Sequence, residues 1–232
     1  MEMLTVSTPK ATLGATVRQR ERQERPSNRG SRRPGRAKGY HHGDLPRALL
    51  DAALHIVETQ GTAALTLRAA ARLAGVSQAA PYRHFANKEA ILTAVAEDGF
   101  RSLMAAMRRA AGAGGDGPLE RLRGVGLGYV TFATEHPSHF RVMFGREMAD
   151  RSAFPALRQI ATETFNVVVD AISDCQRAGL VRSEEPPADL ALTAWSGIHG
   201  LSALLVDGVL DKPVADVAEL VTRDLFLGLG RR

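Results

Sequence analysis

Apolar residues recur every three or four positions through most of the sequence, a spacing that places them on one face of a helix. Behind Asp44, which is a predicted N-cap, such a run begins at Leu45 and continues until Gly61. Pro46 falls in the first turn, where its missing N–H costs little, and glycine is a frequent residue at a helix end. The pattern therefore predicts a first helix over residues 45–60.

Three further predicted N-caps, Thr66, Ser77 and Asn87, stand before shorter or longer apolar runs. The first predicts a short helix that ends at Gly75. The second predicts another short helix from Gln78 to about residue 85, and the third predicts a long helix from residue 87. The first short helix is expected to bury one face, made of Leu67, Ala70 and Leu73.

Beyond a glycine-rich loop at 111–118, helical spacing predicts segments at about 119–135, 138–147, 154–178, 187–207 and 213–228. Prolines stand near the starts of these segments, where a helix tolerates them. No convincing alternation predicts a β-hairpin. We therefore predict an all-α fold in which a helical head at 39–86 and a helical body at 87–232 are joined by a linking helix at 87–110.

Composition agrees with a helical protein, since 44% of the 232 residues are hydrophobic but only 5% are aromatic. The one cysteine, Cys175, excludes an intramolecular disulfide and is expected to be an inert thiol on a polar helix face. No apolar run approaches the roughly 18–20 residues that span a bilayer. We expect a cytoplasmic protein that contacts no membrane.

The net charge of +5 is spread unevenly. Residues 1–38 hold ten Lys or Arg residues and three Asp or Glu residues, whereas residues 91–232 hold fifteen and eighteen. Residues 1–38 show no helical or strand period and are expected to be a disordered basic arm. Two interpretations stay open: the arm neutralises DNA phosphates, or it only increases solubility.

The segment 66–85 has the spacing of a helix-turn-helix, two short helices joined by a tight turn at Gly75, which presents the second helix to the major groove. An ordinary helical hairpin has the same spacing, and Pro81 is an irregularity in the second helix. On the major-groove interpretation, Gln78 is a candidate to read adenine, Arg83 guanine or a phosphate, and Ala79 a thymine methyl group. The full set of DNA-contact candidates is Thr66, Ser77, Gln78, Ala79, Tyr82, Arg83, His84 and Lys88.

Four segments in order closely resemble the TetR/AcrR family of regulators. They are GYHHGDL at 39–45, AALHIVETQG at 52–61, LTLRAAARLAGVS at 65–77 and YRHFANKEAIL at 82–92. The resemblance implies that the head is a helix-turn-helix DNA-binding domain and that the body is a regulatory and dimerisation domain. It implies a bacterial homodimer that binds a near-palindromic double-stranded DNA operator through two heads and is associated with the nucleoid when it is bound to DNA. It also implies that Thr66, Tyr82 and Lys88 contact the DNA backbone and that Gln78, Ala79 and Arg83 contact bases.

Near the C-terminus, the run WSGIHG at 195–200 resembles a Trp-x-x-x-His-Gly element of one TetR-like C-terminal group. This resemblance implies that the last two long helices pack against those of a second copy. Gly197 and Gly200 are expected to allow close helix approach. The interface candidates are Leu201, Leu205, Val217, Leu220, Val221 and Leu225, although burial within one subunit explains several of them equally well.

Aromatic residues and methionines in the body favour a pocket for a small apolar or amphipathic effector of unknown identity. The candidate lining residues are Tyr129, Phe132, Phe140, Met143, Phe144, Phe165, Val169, Trp195 and His199. Simple core packing is the alternative for each. His199 is interpreted either as a core histidine that is bonded to a carbonyl or as a ligand contact.

No catalytic motif is recognisable, so we predict a ligand-responsive regulator, most simply a repressor, that is not an enzyme and has no cofactor. Glu135, His136 and His139 have a spacing seen in metal sites, but Pro137 interrupts their helix, so we predict no metal. Phosphate is the expected partner of His41 and His42. Two other classes stay open: a helical hydrolase or transferase that uses His199, and an architectural DNA binder without sequence preference.

Overall fold

Eight α-helices and three short 3-10 helices make up the regular structure of residues 44–148 and 151–230, which are the residues that the computed structural model describes; no strand occurs in them. The helices are α1 (Leu45–Gln60), α2 (Leu67–Leu73), α3 (Lys88–Ala113), α4 (Pro118–Glu135), α5 (Pro137–Phe144), α6 (Pro155–Arg177), α7 (Pro187–Val206) and α8 (Val214–Leu229). The 3-10 helices are Thr62–Ala64, Pro81–Arg83 and Arg146–Met148. This confirms the predicted all-α fold, while the predictions for residues 1–43 lie outside the described residues.

The head is here residues 44–86 and the body residues 87–148 and 151–230. Predicted caps begin the two α-helices of the head and the first helix of the body. Side-chain oxygens of Asp44, Thr66 and Asn87 accept hydrogen bonds from backbone N–H groups three residues further on, at 3.0, 3.0 and 2.9 Å. Each bond satisfies one of the donors that a helix start leaves unpaired. At the other end of α1, Gly61 has a φ of +80°.

One predicted helix is wrong: residues 78–85 do not form an α-helix. Ser77–Ala80 is a turn, in which the Ala80 N–H donates to the Ser77 carbonyl at 3.0 Å, and Pro81–Arg83 is a 3-10 helix. Proline has no N–H, so Pro81 cannot donate to the Ser77 carbonyl as an α-helix would require. The carbonyl is satisfied one residue earlier, which tightens the backbone.

Close helix packing holds the body together, and α3 lies at its centre against α4, α5 and α6. Gly124 and Gly128 of α4 face α3: a Cβ added at Gly124 would lie 2.5 Å from the carbonyl oxygen of Ala110, and one at Gly128 would lie 2.8 Å from that of Ala106. Gly124 and Gly128 therefore allow α4 to pack closely against α3. The cores of head and body are continuous along α3.

Two predictions about which side chains face inward are wrong. Leu73 was expected in the core but is 48% exposed, whereas its neighbours Ala71 and Ala74 are buried. A helix of only seven residues defines its buried face poorly from sequence, because few positions repeat. Cys175 is fully buried between the helices of the body rather than on a polar face, and burial raises the pKa of its thiol to about 11.

Helix α7 is the one helix in the described residues that is long and apolar enough, by length and composition, to cross a membrane. No such segment was predicted, because the sequence has no uninterrupted apolar run of that length. A core helix of a soluble protein has the same composition, and α7 packs against α4, α6 and α8. About a third of its residues are buried within the chain, and two of its leucines, Leu192 and Leu204, are exposed.

Candidate nucleic-acid interface and ligand cleft

The turn after α2 depends on Gly75. Its φ is +70°, its N–H donates to the Arg72 carbonyl at 3.3 Å, and the N–H of Val76 donates to the Ala71 carbonyl at 3.0 Å. These two bonds form a Schellman motif, which ends a helix and redirects the chain. The chain then runs straight into residues 77–85, which we call the recognition segment.

The recognition segment is fixed by its buried residues and presents its polar residues to solvent. Pro81 and Phe85 are buried against the core of the head. Between and before them, six residues are exposed, and Tyr82 is 53% exposed. The exposed residues are Ser77, Gln78, Ala79, Tyr82, Arg83 and His84. This places six of the eight DNA-contact candidates on one outward-facing segment.

The other two DNA-contact candidates begin helices beside this segment. Thr66 is exposed and caps α2. Lys88 is half-buried at the start of α3 and lies close to Glu147, where its charge contributes to a lowered pKa of that carboxyl. A hydrogen bond from the Thr62 hydroxyl, 2.7 Å long, is the largest cause of that lowered pKa. Glu147 therefore links the body to the head.

A second link between head and body centres on Asp98 of α3. The Arg47 guanidinium of α1 lies 3.2 and 3.3 Å from the two carboxylate oxygens of Asp98, and His139 Nε2 of α5 lies 3.4 Å from Oδ2. Burial lowers the pKa of His139, although its hydrogen bond to Asp98 acts in the opposite direction. Arg47 is 51% exposed, so solvent screens this pair.

A cleft of about 350 Å³ opens in the body between α3, α4, α6 and α7. Its walls are mainly apolar and aromatic. They consist of Phe100, Leu103, Met107, Tyr129, Phe144, Arg151, Arg158, Ala161, Thr162, Thr164, Phe165, Val168, Leu192 and Trp195. A volume of this size lies within the range of about 300–1,000 Å³ that is typical of small-molecule sites.

The structure brings four of the nine pocket candidates to this cleft, namely Tyr129, Phe144, Phe165 and Trp195. Two others, Phe140 and His199, line a separate pocket of about 230 Å³ on the other side of Phe144. The remaining three do not line the cleft: Phe132 and Met143 are buried in helix packing, and Val169 turns away while Val168 faces in.

A polar network lies within these aromatic rings. Trp195 Nε1 donates to the Tyr129 hydroxyl at 3.3 Å, and that hydroxyl lies 2.9 Å from His199 Nδ1. Burial raises the pKa of Tyr129 and lowers the pKa of His199, so the phenol keeps its proton and the imidazole is neutral. A hydrogen bond thus joins the Tyr129 hydroxyl to Nδ1 of His199. His199 has a tyrosine partner instead of the backbone carbonyl that the sequence analysis considered.

Arg151, which no sequence pattern singled out, also lines the cleft. Its guanidinium carbon lies 5.0 Å from the centre of the Phe100 ring and 6.0 Å from that of Phe144, and one Nη donates to the Met143 carbonyl at 2.9 Å. Burial lowers the pKa of this guanidinium. An isolated arginine in a loop gives no periodic signal, so only the folded chain shows this position.

The six interface candidates differ in exposure. Leu201 and Val217 are buried within the chain, whereas Leu220 is 44% exposed. The others, Leu205, Val221 and Leu225, are partly buried. Two leucines of α7 that the sequence analysis did not select are more exposed than most of them: Leu192 at 53% and Leu204 at 43%. A Cβ at Gly197 would lie 3.0 Å from Leu225, whereas Gly200 faces open space.

No group of three His, Cys, Asp or Glu residues that could hold a metal ion occurs among residues 44–148 and 151–230. His139 bonds Asp98, and the rings of His136 and His139 are 6.0 Å apart. His199 has no carboxylate partner within hydrogen-bonding distance in the described residues, so an acid–base pair around it is not present there.

Two family models match this chain. One, described as bacterial regulatory proteins of the tetR family, matches residues 49–95, and the other, a tetracyclin repressor-like C-terminal domain, matches residues 122–225. The helix-turn-helix head on a helical body is the arrangement of a DNA-binding transcription regulator. The chain belongs to the TetR family of such regulators.

Known proteins agree with this assignment. The chain is 44% identical over 62 residues to the HTH-type transcriptional regulator BetI of Rhizobium meliloti (strain 1021), a match that covers 27% of this chain and 29% of that protein. A protein of unknown function from Rhodococcus sp. RHA1 is 33% identical with a TM-score of 0.74, over 84% of this chain and all of that one. The TetR family regulator PfmR of Thermus thermophilus, 20% identical, shares the fold with a TM-score of 0.64 over 79% of this chain and 99% of that one.

Proposed function

We propose that this protein is a cytoplasmic repressor that binds a near-palindromic operator as a homodimer and is released by a small apolar or amphipathic effector. The observation that carries the proposal is the outward polar face of the recognition segment, which Pro81 and Phe85 hold in place. A segment fixed from within and polar outside is suited to reading a groove. Family membership supports the same role.

We assign the DNA contacts by side-chain chemistry. Gln78 is suited to a bidentate contact with adenine and Arg83 to guanine or a phosphate, while Ala79 is small enough to meet a thymine methyl group. Tyr82 and His84, exposed beside them, are suited to the phosphate backbone, as are Thr66 and Lys88 at their helix starts. The proximity of Glu147 reduces the positive potential around Lys88. Of these two residues, we therefore expect Lys88 to contribute less to DNA binding than Thr66.

Exposed leucines on α7 and α8 support dimerisation. Leu192, Leu204 and Leu220 are 53%, 43% and 44% exposed. A second copy would cover this apolar surface, as in an isologous two-fold interface. Because Leu201 and Val217 are already buried within one subunit, the exposed leucines replace them as the residues expected to contact the partner.

The proposed release mechanism runs along α3. This helix begins beside the recognition segment, carries Asp98 against Arg47 of the head, and supplies Phe100, Leu103 and Met107 to the cleft. A ligand in the cleft therefore contacts the same rigid element that positions the head. It can shift the spacing of the heads only by the difference in its affinity for the two conformers.

Fluorescence anisotropy tests the proposal, with a duplex from immediately upstream of the protein's own gene compared with a scrambled duplex at the same salt concentration. We expect the native duplex to bind at least roughly 10³-fold more tightly. Tyr82→Ala and Arg83→Ala should lose this preference. Arg177→Ala is the matched control, because Arg177 is 76% exposed on α6, far along the chain from the recognition segment, and should bind as the wild type does.

The same assay separates a sequence-specific repressor from an architectural DNA binder without sequence preference. An architectural binder would bind both duplexes with a steep salt dependence and would tolerate both substitutions in the recognition segment. If the native duplex is not preferred, a selection from genomic fragments would show whether an operator lies elsewhere. Absence of binding to any duplex at low salt would refute the proposal.

A further inference from the structure

We propose that the cleft of the body binds an apolar molecule with a single carboxylate group and that Arg151 pairs with that carboxylate. The inference rests on the proposed function, since it names the chemical class of the effector. It depends on three features of the cleft: the charge of its lining, the hydrogen bonds that its polar groups already make, and its apolar walls.

The charged residues that line the cleft are both cationic. Arg151 and Arg158 are the charged members of its lining, and no Asp or Glu is among the described residues that form it. Neither arginine forms an ion pair with any residue in the ranges 44–148 and 151–230. The cleft therefore attracts anions and repels cations.

Arg151 is half-buried and has no counterion among the residues that the structure describes. Its guanidinium packs on the Phe100 ring, one Nη donates to the Met143 carbonyl, and its Nε is buried without a hydrogen-bond partner. A half-buried cation with one buried, unsatisfied donor is less stable than a paired one, and an anion would compensate it. A bound anionic group would supply both the missing charge and the missing acceptor.

The other polar groups of the cleft already use their protons within the protein. The Thr164 hydroxyl donates to the Ile160 carbonyl at 2.7 Å, and the Thr162 hydroxyl donates to the Arg158 carbonyl at 2.9 Å. Trp195 donates to the Tyr129 hydroxyl. The arginines are therefore the donors that remain for a ligand, and a planar carboxylate fits the guanidinium fork best.

The rest of the cleft is suited to a hydrocarbon part. Half of its lining residues are phenylalanine, leucine, methionine or valine, and they come from α3, α5, α6 and α7. These walls offer no acceptors or donors for a sugar or a nucleobase, which need several directional contacts. A ligand of this cleft thus combines one anionic end with an apolar body.

Intrinsic fluorescence provides a direct test, because the sequence contains one tryptophan and Trp195 lines the cleft. We would titrate the full-length protein with decanoate, decanol and decylammonium, each below its micelle-forming concentration. We expect decanoate to bind at least about tenfold more tightly than decanol, and decylammonium to bind more weakly than both. Charge-assisted hydrogen bonds have this strength.

Two variants locate the effect. Arg151→Met, which keeps an unbranched apolar stem and removes the guanidinium with its charge, should abolish the preference for decanoate over decanol while leaving decanol affinity within about threefold. Arg158→Met is the matched control: Arg158 is exposed at the cleft, so solvent screens its charge and the preference should remain. If Arg151→Met fails to fold, Arg151→Lys, which lacks the planar fork, should show a reduced preference.

Equal affinity of the wild type for decanoate and decanol would overturn the inference, as would no binding of either compound or a preference that persists in Arg151→Met. The DNA assay distinguishes these failures from failure of the proposed function. Release of DNA by decanol and decanoate alike would keep the repressor proposal and refute the carboxylate. Binding of decanoate that depends on Arg151 but leaves DNA binding unchanged would keep the carboxylate and refute effector release.

Discussion

The structure of the head and the structure of the body are specified by different kinds of contact. In the head, residues close in sequence specify each turn: Thr66 caps α2, Gly75 ends it, and Pro81 shortens the recognition segment. In the body, residues far apart in sequence decide the arrangement, as where Gly124 of α4 lies against Ala110 of α3. The DNA-facing part is thus specified locally, whereas the cleft exists only once the helices have packed.

The sharpest test of this difference is Gly124→Ala in the body. Because its Cβ would lie 2.5 Å from the Ala110 carbonyl oxygen, α3 and α4 would have to move apart, and we expect the free energy of unfolding to fall by about 1–3 kcal/mol. Gly112→Ala is the control, since a Cβ there meets nothing within 4 Å and helix propensity favours alanine by up to about 1 kcal/mol. Urea unfolding would measure both. An equal effect of the two substitutions would show that close packing does not distinguish α4.

In the head, Gly75→Ala tests local specification. A Cβ at this position would meet nothing within 4 Å, but the backbone φ is +70°. We therefore expect the free energy of unfolding to fall by about 1–2 kcal/mol from backbone strain alone. Gly75→Asn should lose less, because asparagine tolerates this conformation. Thermal unfolding of the two variants, with DNA affinity measured alongside, checks the prediction. If alanine and asparagine were equally destabilising, a contact rather than the backbone conformation would explain the glycine.

The same contrast explains what the sequence could predict. Helix bounds agree with expectation to within about three residues because caps, glycines and prolines act on their immediate neighbours. The helix predicted over 78–85 failed even though Pro81 was recognised as irregular, since the pattern alone did not show that its missing N–H would convert the segment into a 3-10 turn. The exposed face of that segment was nonetheless predictable, because its polar residues cluster between Pro81 and Phe85 or just before them.

The lining of the cleft was less predictable. A single step along a helix rotates a side chain by about 100°, which separates Val168 in the cleft from Val169 outside it. Aromatic content identified Tyr129 and Trp195 but did not separate them from Phe132, which is buried in helix packing. The position of Arg151 in the cleft depends on the path of the chain before α6. That path places Arg151 on the ring of Phe100, about fifty positions earlier in the sequence.

The half-buried histidines of the body predict that the stability of the protein depends on pH. Burial lowers the pKa of His199, so the unfolded chain takes up a proton near the ordinary value of 6.5 while the folded protein takes it up only at lower pH. The unfolded state then binds more protons, and stability falls as the pH decreases below about 6.5. His199→Gln should reduce this loss when urea unfolding is compared at about pH 8 and pH 5. If the substitution left the pH dependence unchanged, His199 would not be its source.

The smallest effect is expected where the two regions meet. Arg47 of the head and Asp98 of the body are 3.2 Å apart, but their side chains are 51% and 26% exposed. A double-mutant cycle with Arg47→Gln and Asp98→Asn should give a coupling energy below about 1 kcal/mol that decreases further at high salt. The pair Glu97–Arg101, which lies within α3, provides a matched cycle that does not join the regions. A weak contact of this kind suits a regulator, because a ligand with modest differential affinity could then reposition the head. A coupling of several kcal/mol would make head and body one rigid unit and would require release of DNA by a different element.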